Sequence, residues 1–346
     1  TPAAFTNGRA PMGPLNTDPN NYPVTLAGTW PAITITMNAA TFTAGDVGRY
    51  FYVRNATAKN SWYLQITGFT SATVVTANGL DRFNASGTNP QGVDGDRWAM
   101  SVMSTNSGCA AVAFHEGRLW YGGFKLYPTM LWGSVSDDYD NFEFESPDPG
   151  TADAANADRA IQRQTLSAGS QANLIRWIAG VADRLVIGCS AGEFVIQPDQ
   201  DNILTPTTSS IKRQTTRGSA SLPPATIDSA IYFLQRCATR LRQFVYDAIR
   251  GSYNSKDITV LADHLIRGGG GILGLAYQQE PYSTLWAWRA DGQLVGWTID
   301  TDQGVVGAHA HALGGTEAAI ESAAVIPGEY VTVPKVPLTG LSASIR

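Results

Sequence analysis

The sequence is poor in charged side chains. Asp, Glu, Lys and Arg make up 15% of its 346 residues, against about 25% in an average soluble protein. There are 24 Lys and Arg against 29 Asp and Glu, which gives a formal net charge of −5. A slightly acidic balance without a basic stripe argues against a nucleic-acid-binding protein. Hydrophobic residues at 43%, with so little net charge, exclude a disordered chain.

Long apolar runs and cysteines are scarce as well. No run approaches the roughly 18 apolar residues of a membrane-spanning helix, so we expect no membrane insertion by this chain. We find no basic start followed by an apolar segment, so the sequence does not indicate a signal peptide. The three cysteines, Cys109, Cys189 and Cys237, are too few and too scattered for a disulfide framework or a CxxC metal site. We expect them to be small buried hydrophobic residues in a reducing compartment.

The shortage of charge also bears on the surface. About 25–35% of a solvated surface is normally charged. Much of this surface must therefore consist of Ser, Thr, Asn, Gln and Gly, or be covered by other subunits. Both interpretations favour a component of a large assembly over a free cytosolic enzyme.

Strand signals dominate the chain, and helical signals are nearly absent. Residues 33–37 alternate apolar and polar side chains, and short β-branched and aromatic runs bounded by Gly, Asn, Asp and Ser follow. We therefore predict an all-β protein. Residues 1–30 are predicted to be an extended N-terminal segment, residues 31–105 a small β-domain of sandwich or barrel type, and residues 329–346 an extended tail or linker.

Residues 106–328 carry a recurring unit of strand, tight polar turn and strand. The units pair residues 118–123 with 130–135, 184–188 with 193–196, 230–234 with 241–246, and 284–288 with 293–299. Self-similarity at about 40–50 residues is typical of β-propellers, whose four-stranded blades bury their faces only against neighbouring blades. We predict a β-propeller-like domain. Because no WD or kelch signature occurs, a β-sandwich pair or an irregular stack of sheets remains an alternative.

The histidines and acidic residues do not predict a metal site. His309 and His311 lie on one face of a predicted strand, a spacing that can bind metal, but the next acidic residue is Glu317. We interpret the pair as an ordinary strand surface. His115 falls in a predicted turn. The acidic run at residues 137–141 lacks the Gly and the terminal Glu of a calcium loop, which favours a solvated loop between strands.

Nucleophile and phosphate motifs are equally weak. Residues 188–192, Gly-Cys-Ser-Ala-Gly, look like a nucleophile elbow, but they join two predicted strands and not a strand and a helix. The glycines at residues 268–271 are not followed by Lys and Ser or Thr, so we expect a flexible loop and not a P-loop. Lys212, Arg213 and Arg217 form one modest basic cluster, which could touch phosphate or an acidic neighbouring subunit but is usually a solvated strand face.

Tryptophans and carboxylates leave one enzymatic alternative open. Paired carboxylates for glycoside hydrolysis can come from distant strands and give no local signal. A sugar groove could be lined by eight tryptophans: Trp62, Trp98, Trp120, Trp132, Trp177, Trp286, Trp288 and Trp297. Their even spread through the strand patterns favours packing inside the β-domains. We predict no catalytic, cofactor-binding or metal-binding residue.

Two stretches resemble the nozzle proteins of short-tailed bacteriophages, also called tail tubular protein B. The first joins Phe-Thr-Ala-Gly-Asp-Val-Gly-Arg at residues 42–49 to residues 62–76, and it resembles the family's small β-domain, where Asp-Val-Gly-Arg opens a strand. The second joins Phe-His-Glu-Gly-Arg-Leu-Trp-Tyr-Gly-Gly at residues 114–123 to Leu-Trp-Gly-Ser-Val-Ser-Asp-Asp-Tyr-Asp-Asn-Phe at residues 131–142. Similar motifs occur at residues 190–194 and 214–219. The resemblance covers most of residues 40–328, and members of the family are commonly longer than this chain.

The resemblance implies a structural virion protein without catalytic residues or cofactors, assembled in the bacterial cytoplasm and placed at the tail tip. It implies a homo-hexameric ring below the tail adaptor (upper tail tube) protein. Such a ring continues the DNA-ejection channel and helps to hold tail fibre or spike proteins. The competing hypotheses are a carbohydrate-binding or carbohydrate-cleaving β-propeller, such as a receptor-binding or tailspike-like module, and a plain propeller scaffold.

Double-stranded DNA would pass through the lumen of such a ring without specific binding. Each phosphate that a Lys or Arg neutralises adds affinity through counterion release. Six copies of the chain would carry a charge of about −30, six times its −5. We therefore expect few Lys or Arg side chains to face the lumen.

Overall fold

The chain is built almost entirely of β-strands in the computed structural model. The model describes residues 9–16, 24–55, 60–84, 93–95, 97–104, 107–144, 157–165, 172–182, 184–198, 204–206, 208–301, 303–312, 314 and 319–326. Within these ranges, helical structure is limited to two short 3₁₀ segments, Ala44–Asp46 and Val260–Leu265. No described helix is long and apolar enough to cross a membrane. The predicted all-β class is confirmed.

The first seven strands form one curled sheet. They are β1 (Val24–Thr29), β2 (Ala32–Met37), β3 (Tyr50–Asn55), β4 (Asn60–Ser71), β5 (Val74–Asn84), β6 (Val93–Gly95) and β7 (Arg97–Met100). Their order across the sheet is β6-β1-β2-β5-β4-β3-β7. The sheet curls until β6 at one edge contacts β3, which lies beside the other edge. The result is a barrel-like domain with Ile35, Trp62 and Leu64 in its core.

The alternation in β2 decides which face lies inside the curl. Ile33, Ile35 and Met37 are buried, while the residues between them are partly or fully exposed. Successive side chains of a strand point to opposite faces, so the apolar set of β2 fills the interior of the domain.

The sheet begins earlier than the sequence predicts. β1 starts at Val24, inside the stretch expected to be an extended N-terminal segment, so the boundary predicted at residue 31 is too late. Preceding residues also reach the sheet, since Met12 forms an isolated β-bridge with Ser101 and Asn16 forms one with Trp98. The predicted tail at residues 329–346 lies outside the described residues.

Four antiparallel sheets of four strands follow one another along the chain, and we call each a blade. The first blade contains β8 (Ala111–His115), β9 (Arg118–Gly122), β10 (Met130–Gly133) and β11 (Ile161–Gln164). The second blade contains β12 (Ile175–Val181), β13 (Arg184–Cys189), β14 (Gly192–Pro198) and β15 (Ser209–Thr215). The third blade contains β16 (Ala225–Ile227), β17 (Ala230–Leu234), β18 (Leu241–Asp247) and β19 (Ser252–Asp257), and the fourth contains β20 (Ile272–Gln278), β21 (Thr284–Arg289), β22 (Leu294–Asp300) and β23 (Val305–His311). Within each blade the strands pair in chain order.

Consecutive blades pack face to face. β8 contacts β12, β12 contacts β17, and β16 contacts β20. Trp120 and Ile187 belong to the apolar core between the first and second blades. Val186 and Phe233 belong to the next core, and Trp297 to the core between the third and fourth blades. This arrangement is that of propeller blades, so the predicted propeller-like domain is confirmed.

The curled sheet packs against the first blade. Tyr52 of β3 and Trp132 of β10 belong to one apolar core. Arg9 adds a polar tie, since its Nη2 lies 2.8 Å from Asp81 Oδ2 and its Nε lies 3.6 Å from Glu143 Oε1. Burial raises the pKa of Glu143, although the charge of Arg9 acts in the opposite direction. The two domains therefore share both an apolar and an ionic junction.

Glycines face tryptophans across neighbouring strands in three of the blades. The pairs are Gly133 with Trp120, Gly188 with Trp177, and Gly274 with Trp288. A Cβ added to Gly188 or Gly274 would overlap the opposing indole, and a Cβ at Gly133 would lie 2.9 Å from the ring of Trp120. The glycine at each of these positions leaves the space that the indole occupies.

Gly188→Ala tests this packing. We expect the substitution to lower the free energy of unfolding by about 1–3 kcal/mol, because overpacking displaces Trp177. Urea denaturation measures the change. The matched control is Gly307→Ala in β23, where a Cβ meets nothing within 4 Å. The control should be neutral or slightly stabilising, and equal losses in both variants would contradict the role of the Trp177 contact.

Candidate functional site

Arg118, at the start of β9, is a buried hub of the first blade. It is 2% exposed. Its Nη1 donates to the carbonyl oxygens of Ser134 at 2.5 Å and Arg159 at 2.7 Å, and its Nη2 donates to that of Ala157 at 2.7 Å. Burial lowers the pKa of Arg118, and the charge of Asp158 acts in the opposite direction. One guanidinium thus ties β9 to the segments that follow β10 and precede β11.

Arg118 belongs to the second stretch that resembles the nozzle proteins, residues 114–123 and 131–142. Other residues of that stretch form the corner beside Arg118. Ser134 Oγ accepts a hydrogen bond from the backbone N–H of Leu119 at 3.0 Å and donates to the carbonyl oxygen of Val135 at 2.9 Å. The carbonyl oxygen of Asn141 accepts from the N–H of Val135 at 2.8 Å. Asn141 Oδ1 accepts from the N–H of Glu143 at 3.0 Å. These residues form a hydrogen-bonded corner.

The Asp-Val-Gly-Arg motif fixes the start of β3. Arg49 Nη1 lies 2.6 Å from Asp46 Oδ1, and Arg49 Nε donates to the carbonyl oxygen of Ser101 at 3.0 Å. The backbone N–H of Thr43 donates to Asp46 Oδ2 at 2.7 Å. Burial tends to raise the pKa of Asp46, but the hydrogen bonds from Arg49 and Thr43 outweigh it and hold the pKa below its ordinary value. The strand that the motif is expected to open begins at Tyr50.

Glu193 is a fully buried carboxylate between the second and third blades. It is 0% exposed. Ser219 Oγ donates to Glu193 Oε1 at 3.0 Å, and Thr215 Oγ1 donates to Glu193 Oε2. The backbone N–H of Ser219 donates to the carbonyl oxygen of Cys189 at 2.8 Å. The chain therefore passes from one blade to the next around this carboxylate.

Burial also perturbs the ionisation of Glu193. It raises the pKa of the carboxyl, and hydrogen bonds from Thr215 and Ser219 together with the charge of Arg242 offset only part of the shift. Arg242 is a buried residue that the sequence does not single out, and its Nε donates to Gln235 Oε1 at 2.7 Å. A carboxyl with a raised pKa can mark a catalytic acid. Because both Glu193 oxygens accept hydrogen bonds from the chain itself, we interpret the residue as a structural latch.

A cavity of about 740 Å³ opens between the third and fourth blades. Its apolar lining includes Val245, Ile258, Ile299 and Val306. Its polar lining includes Gln243, Lys256, Asp257, His264, Asp300 and Thr301. Ligand sites in proteins commonly occupy about 300–1,000 Å³ with apolar walls and a few polar groups. This cavity therefore has the size and lining of a small-molecule site.

The two carboxylates that line this cavity accept hydrogen bonds from the chain itself. Arg240 Nη1 lies 2.6 Å from Asp257 Oδ2, and Thr259 Oγ1 donates to Asp257 Oδ1 at 2.5 Å. Burial tends to raise the pKa of Asp257, but these hydrogen bonds bring it below its ordinary value. Asp300 Oδ1 accepts from the backbone N–H of Gln303 at 2.9 Å. A glycosidase pairs one carboxylic acid of raised pKa with one ionised carboxylate, and the lowered pKa of Asp257 suits only the second role.

His309 and His311 share one face of β23, as the sequence predicts. Nδ1 of His309 lies 2.6 Å from Nε2 of His311, and Thr298 Oγ1 lies 3.2 Å from Nε2 of His309. Burial and the neighbouring His311 lower the pKa of His309. Across the part of the chain that the structure describes, no group of three or more His, Cys, Asp or Glu residues could hold a metal ion.

Residues 188–192 form a β-hairpin turn, as predicted, with Cys189 at the end of β13. Burial raises the pKa of the Cys189 thiol, which makes it a poor nucleophile. Cys109 is half-buried and Cys237 is exposed. The expectation of three buried cysteines is therefore wrong for Cys237.

Two other candidates differ in detail from their predicted structure. His115 is buried and ends β8, so the turn consists of Glu116 and Gly117. The glycines at 268–270 lie in a turn, in which the N–H of Gly269 donates to the carbonyl oxygen of Ile266 at 3.4 Å, and the N–H of Asp291 donates to the carbonyl oxygen of Gly269 at 3.2 Å. The acidic run at residues 137–141 lies between β10 and β11, as predicted.

The basic residues of the second blade do not form one patch. Lys212 and Arg213 are consecutive in β15, so their side chains point to opposite faces. Lys212 pairs with Val195, which faces the third blade, and Arg213 pairs with Phe194, which faces the first. Arg217 is exposed beyond the end of the strand. The cluster is dispersed over both sides of the blade.

Most tryptophans pack in the cores, as predicted. Trp62, Trp120, Trp132, Trp177 and Trp297 are buried, and Trp98, Trp286 and Trp288 are half-buried. Trp286 and Trp288 alternate with Leu285 and Ala287, which belong to the core shared with the third blade. The two half-buried indoles of β21 therefore lie on the opposite face of the fourth blade.

No family model and no curated protein matches this chain. Solved structures that superpose on it include a protein from Lactobacillus plantarum, with 12% identity, a TM-score of 0.36 and coverage of 83% of this chain and 81% of that chain. A possible 6-phosphogluconolactonase from Bacteroides uniformis is 11% identical, with a TM-score of 0.37 and coverage of 83% of this chain and 82% of that chain. Apo AztD from Citrobacter koseri is 9% identical, with a TM-score of 0.32 and coverage of 88% of this chain and 84% of that chain. Superpositions this loose assign no activity, and the fold assignment rests on the sheets themselves.

Arg118→Ala tests the hub of the first blade. The free energy of unfolding should fall by about 3 kcal/mol or more, because each hydrogen bond from a charged donor contributes about 1.5–3 kcal/mol. The control is Arg250→Ala, which removes an exposed ion pair with Asp247 at 3.5 Å and should cost less than about 1 kcal/mol. Urea unfolding followed by tryptophan fluorescence compares the two. Similar losses would show that the buried contacts of Arg118 contribute nothing special.

Glu193→Gln tests the raised pKa of the latch. The folded chain holds a proton on Glu193 more tightly than the unfolded chain, so the contribution of Glu193 to stability falls as the pH rises above the ordinary value of 4.5. Gln does not titrate, so the variant should gain stability relative to the natural chain as the pH rises through this range. Unfolding in urea at several pH values measures the difference. The raised pKa would be contradicted if the difference in the free energy of unfolding between the two chains did not change with pH, or if the natural chain gained stability relative to the variant as the pH rose.

Proposed function

We propose that this chain is a subunit of the tail nozzle of a short-tailed bacteriophage, a structural protein of the virion. In this proposal, six copies form a ring at the tail tip. The ring continues the DNA-ejection channel below the tail adaptor and helps to hold tail fibres. The chain itself performs no catalysis.

The position of the resemblance residues carries this proposal. Arg118 and Ser134 build a corner of the first blade, Glu193 holds the second blade to the third, and Asp46 with Arg49 fixes the start of β3. None of these residues lines the cavity between the third and fourth blades. In an enzyme, the characteristic residues are expected to converge on a pocket. Residues that converge on strand junctions instead favour a role in architecture.

Exposed apolar side chains support the idea that other subunits cover the flanks. On β8, Val112 is 56% and Phe114 is 65% exposed, and the ring of Phe114 lies edge-on to Tyr139 with centroids 5.2 Å apart. Beside the cavity, Val260 is 63% and Leu261 is 95% exposed. Grouped apolar side chains of this kind mark interaction surfaces. Both groups are candidates for contacts with neighbouring copies, the adaptor or fibres.

The distribution of basic residues is compatible with passage of DNA. Lys212 and Arg213 point to opposite faces of β15, so they do not add up to a continuous basic strip. A duplex that meets few clustered cations gains little affinity from counterion release. The proposal therefore includes a lumen with few Lys and Arg side chains.

A carbohydrate-binding module is the second candidate function, and the cavity of about 740 Å³ favours it. Its polar rim and apolar walls could hold a sugar ring. Cleavage of a glycan is less well supported, because the pKa of Asp257 is lowered and its oxygens are occupied.

The assembly state of the purified chain tests the nozzle proposal. Native mass spectrometry at rising concentration should detect particles of six times the 36.9 kDa of the chain, and negative-stain images should show rings with six-fold symmetry. Phe114→Asp should shift the chain towards the monomer, because a charge buried in an interface is costly. The control is Ile249→Asp, at a turn residue that is 98% exposed.

Two outcomes would contradict the proposal. One is a chain that stays monomeric at every concentration. The other is a monomer that binds an oligosaccharide on a glycan array, with binding lost when the cavity residue Gln243 is changed to Leu. The second outcome would establish the carbohydrate-binding alternative.

A further inference from the structure

Two histidines on the outermost strand of the fourth blade turn their ring nitrogens towards each other. His309 and His311 are two residues apart on β23 and therefore share a face. Nδ1 of His309 lies 2.6 Å from Nε2 of His311, and the ring centroids are 4.8 Å apart. His311 is exposed and His309 is half-buried. The two nitrogens are therefore open to a ligand that approaches from solvent.

The spacing of the nitrogens is close to that of a chelate. Imidazole nitrogens bind Zn²⁺ at about 2.0–2.1 Å, so two ligands at neighbouring corners of a tetrahedron lie roughly 3.3 Å apart. In a square plane the separation is about 2.9 Å. Rotations of the rings would have to widen the pair from 2.6 Å by about 0.3 Å for a square plane and by about 0.7 Å for a tetrahedron. A metal ion would then replace the hydrogen bond between the rings with two coordinate bonds.

Neighbouring residues on β21 and β22 hold the rings in this orientation. Thr298 Oγ1 lies 3.2 Å from Nε2 of His309, the nitrogen that does not face His311. Metal-binding histidines commonly have their second ring nitrogen hydrogen-bonded in this way. A Cβ at Gly296 would overlap the ring of His309, so the glycine leaves room for the ring. The indole of Trp286 lies edge-on to both imidazoles, with centroids 5.8 and 4.9 Å away.

We propose that His309 and His311 form a binding site for a divalent cation that prefers imidazole ligands, namely Zn²⁺, Cu²⁺ or Ni²⁺. The pair supplies two ligands. No third His, Cys, Asp or Glu joins them among the described residues, so water or a donor from a partner protein takes the remaining positions. The site does not depend on the nozzle function, and His309 also borders the cavity between the third and fourth blades.

The test uses the full chain without a polyhistidine tag, with Zn²⁺ and Cu²⁺ salts as probes. Calorimetry should give one ion per chain, and electron paramagnetic resonance of the Cu²⁺ complex should show coupling to two imidazole nitrogens. His309→Asn and His311→Asn should each weaken binding by more than tenfold. Thr298→Val should weaken it by about tenfold, the lower end of the range for outer-shell partners. It should leave the two-nitrogen signal in place.

The matched control is His264→Asn, which removes an exposed histidine of the Val260–Leu265 segment and should leave the affinity unchanged. Mg²⁺ should not bind, because it prefers oxygen ligands. The proposal would be overturned by absence of saturable Cu²⁺ binding, by binding that survives the double substitution of His309 and His311, or by a spectrum with a single nitrogen. In the unsubstituted chain, Zn²⁺ should protect these two histidines from modification by diethyl pyrocarbonate. Equal modification with and without Zn²⁺ would also overturn the proposal.

Discussion

Face-to-face packing of four-stranded sheets is the constraint on which the rest of this structure depends. A blade can bury its two faces only against its neighbours, so its central strands must be apolar on both sides. β17 satisfies this demand with five consecutive buried residues. The same demand places glycine opposite tryptophan, as at Gly188 and Trp177, because a large ring on one strand needs space on the next. Protein interiors are close-packed, so each glycine leaves the space that the indole on the neighbouring strand of the same blade fills.

The buried polar groups follow from the same constraint. Where strands end between packed blades, backbone carbonyl oxygens leave the sheet ladder and still need donors. Arg118 donates to three such carbonyl oxygens in two segments of the first blade, and Glu193 accepts hydrogen bonds from the hydroxyl groups of Thr215 and Ser219 at the next junction. A buried charge stabilises only when its partners are all in place. Substitution of Arg118 or Glu193 would therefore leave several buried hydrogen-bonding groups without their partners.

The sequence predicts the centres of the blades and misses their edges, for a physical reason. The four recurring hairpins correspond to β9–β10, β13–β14, β17–β18 and β21–β22, the central strands of the blades, which contain more buried residues than the outer strands and are therefore strongly apolar. β16 has only three residues, and β15 reads Ser-Ser-Ile-Lys-Arg-Gln-Thr, so neither gives a clear alternation. The histidine spacing on β23 is visible in the sequence, but the contact of the rings over Gly296 depends on strand register. The role of Glu193 depends on partners 22 and 26 residues away, which no local pattern contains.

Burial changes the meaning of the low charge content. Several of the few charged residues lie inside the molecule: Asp46, Arg54, Arg118, Glu193, Arg242 and Arg289. These six contribute little to the surface, which therefore carries fewer charged side chains than the sequence count of 24 Lys and Arg and 29 Asp and Glu. Covering an uncharged polar surface costs less than covering ions, whose desolvation is expensive. Such a surface, with Phe114 and Leu261 exposed on it, can be covered by neighbouring subunits at low electrostatic cost. In the proposed ring, the formal net charge of −5 per chain disfavours retention of a polyanion such as DNA.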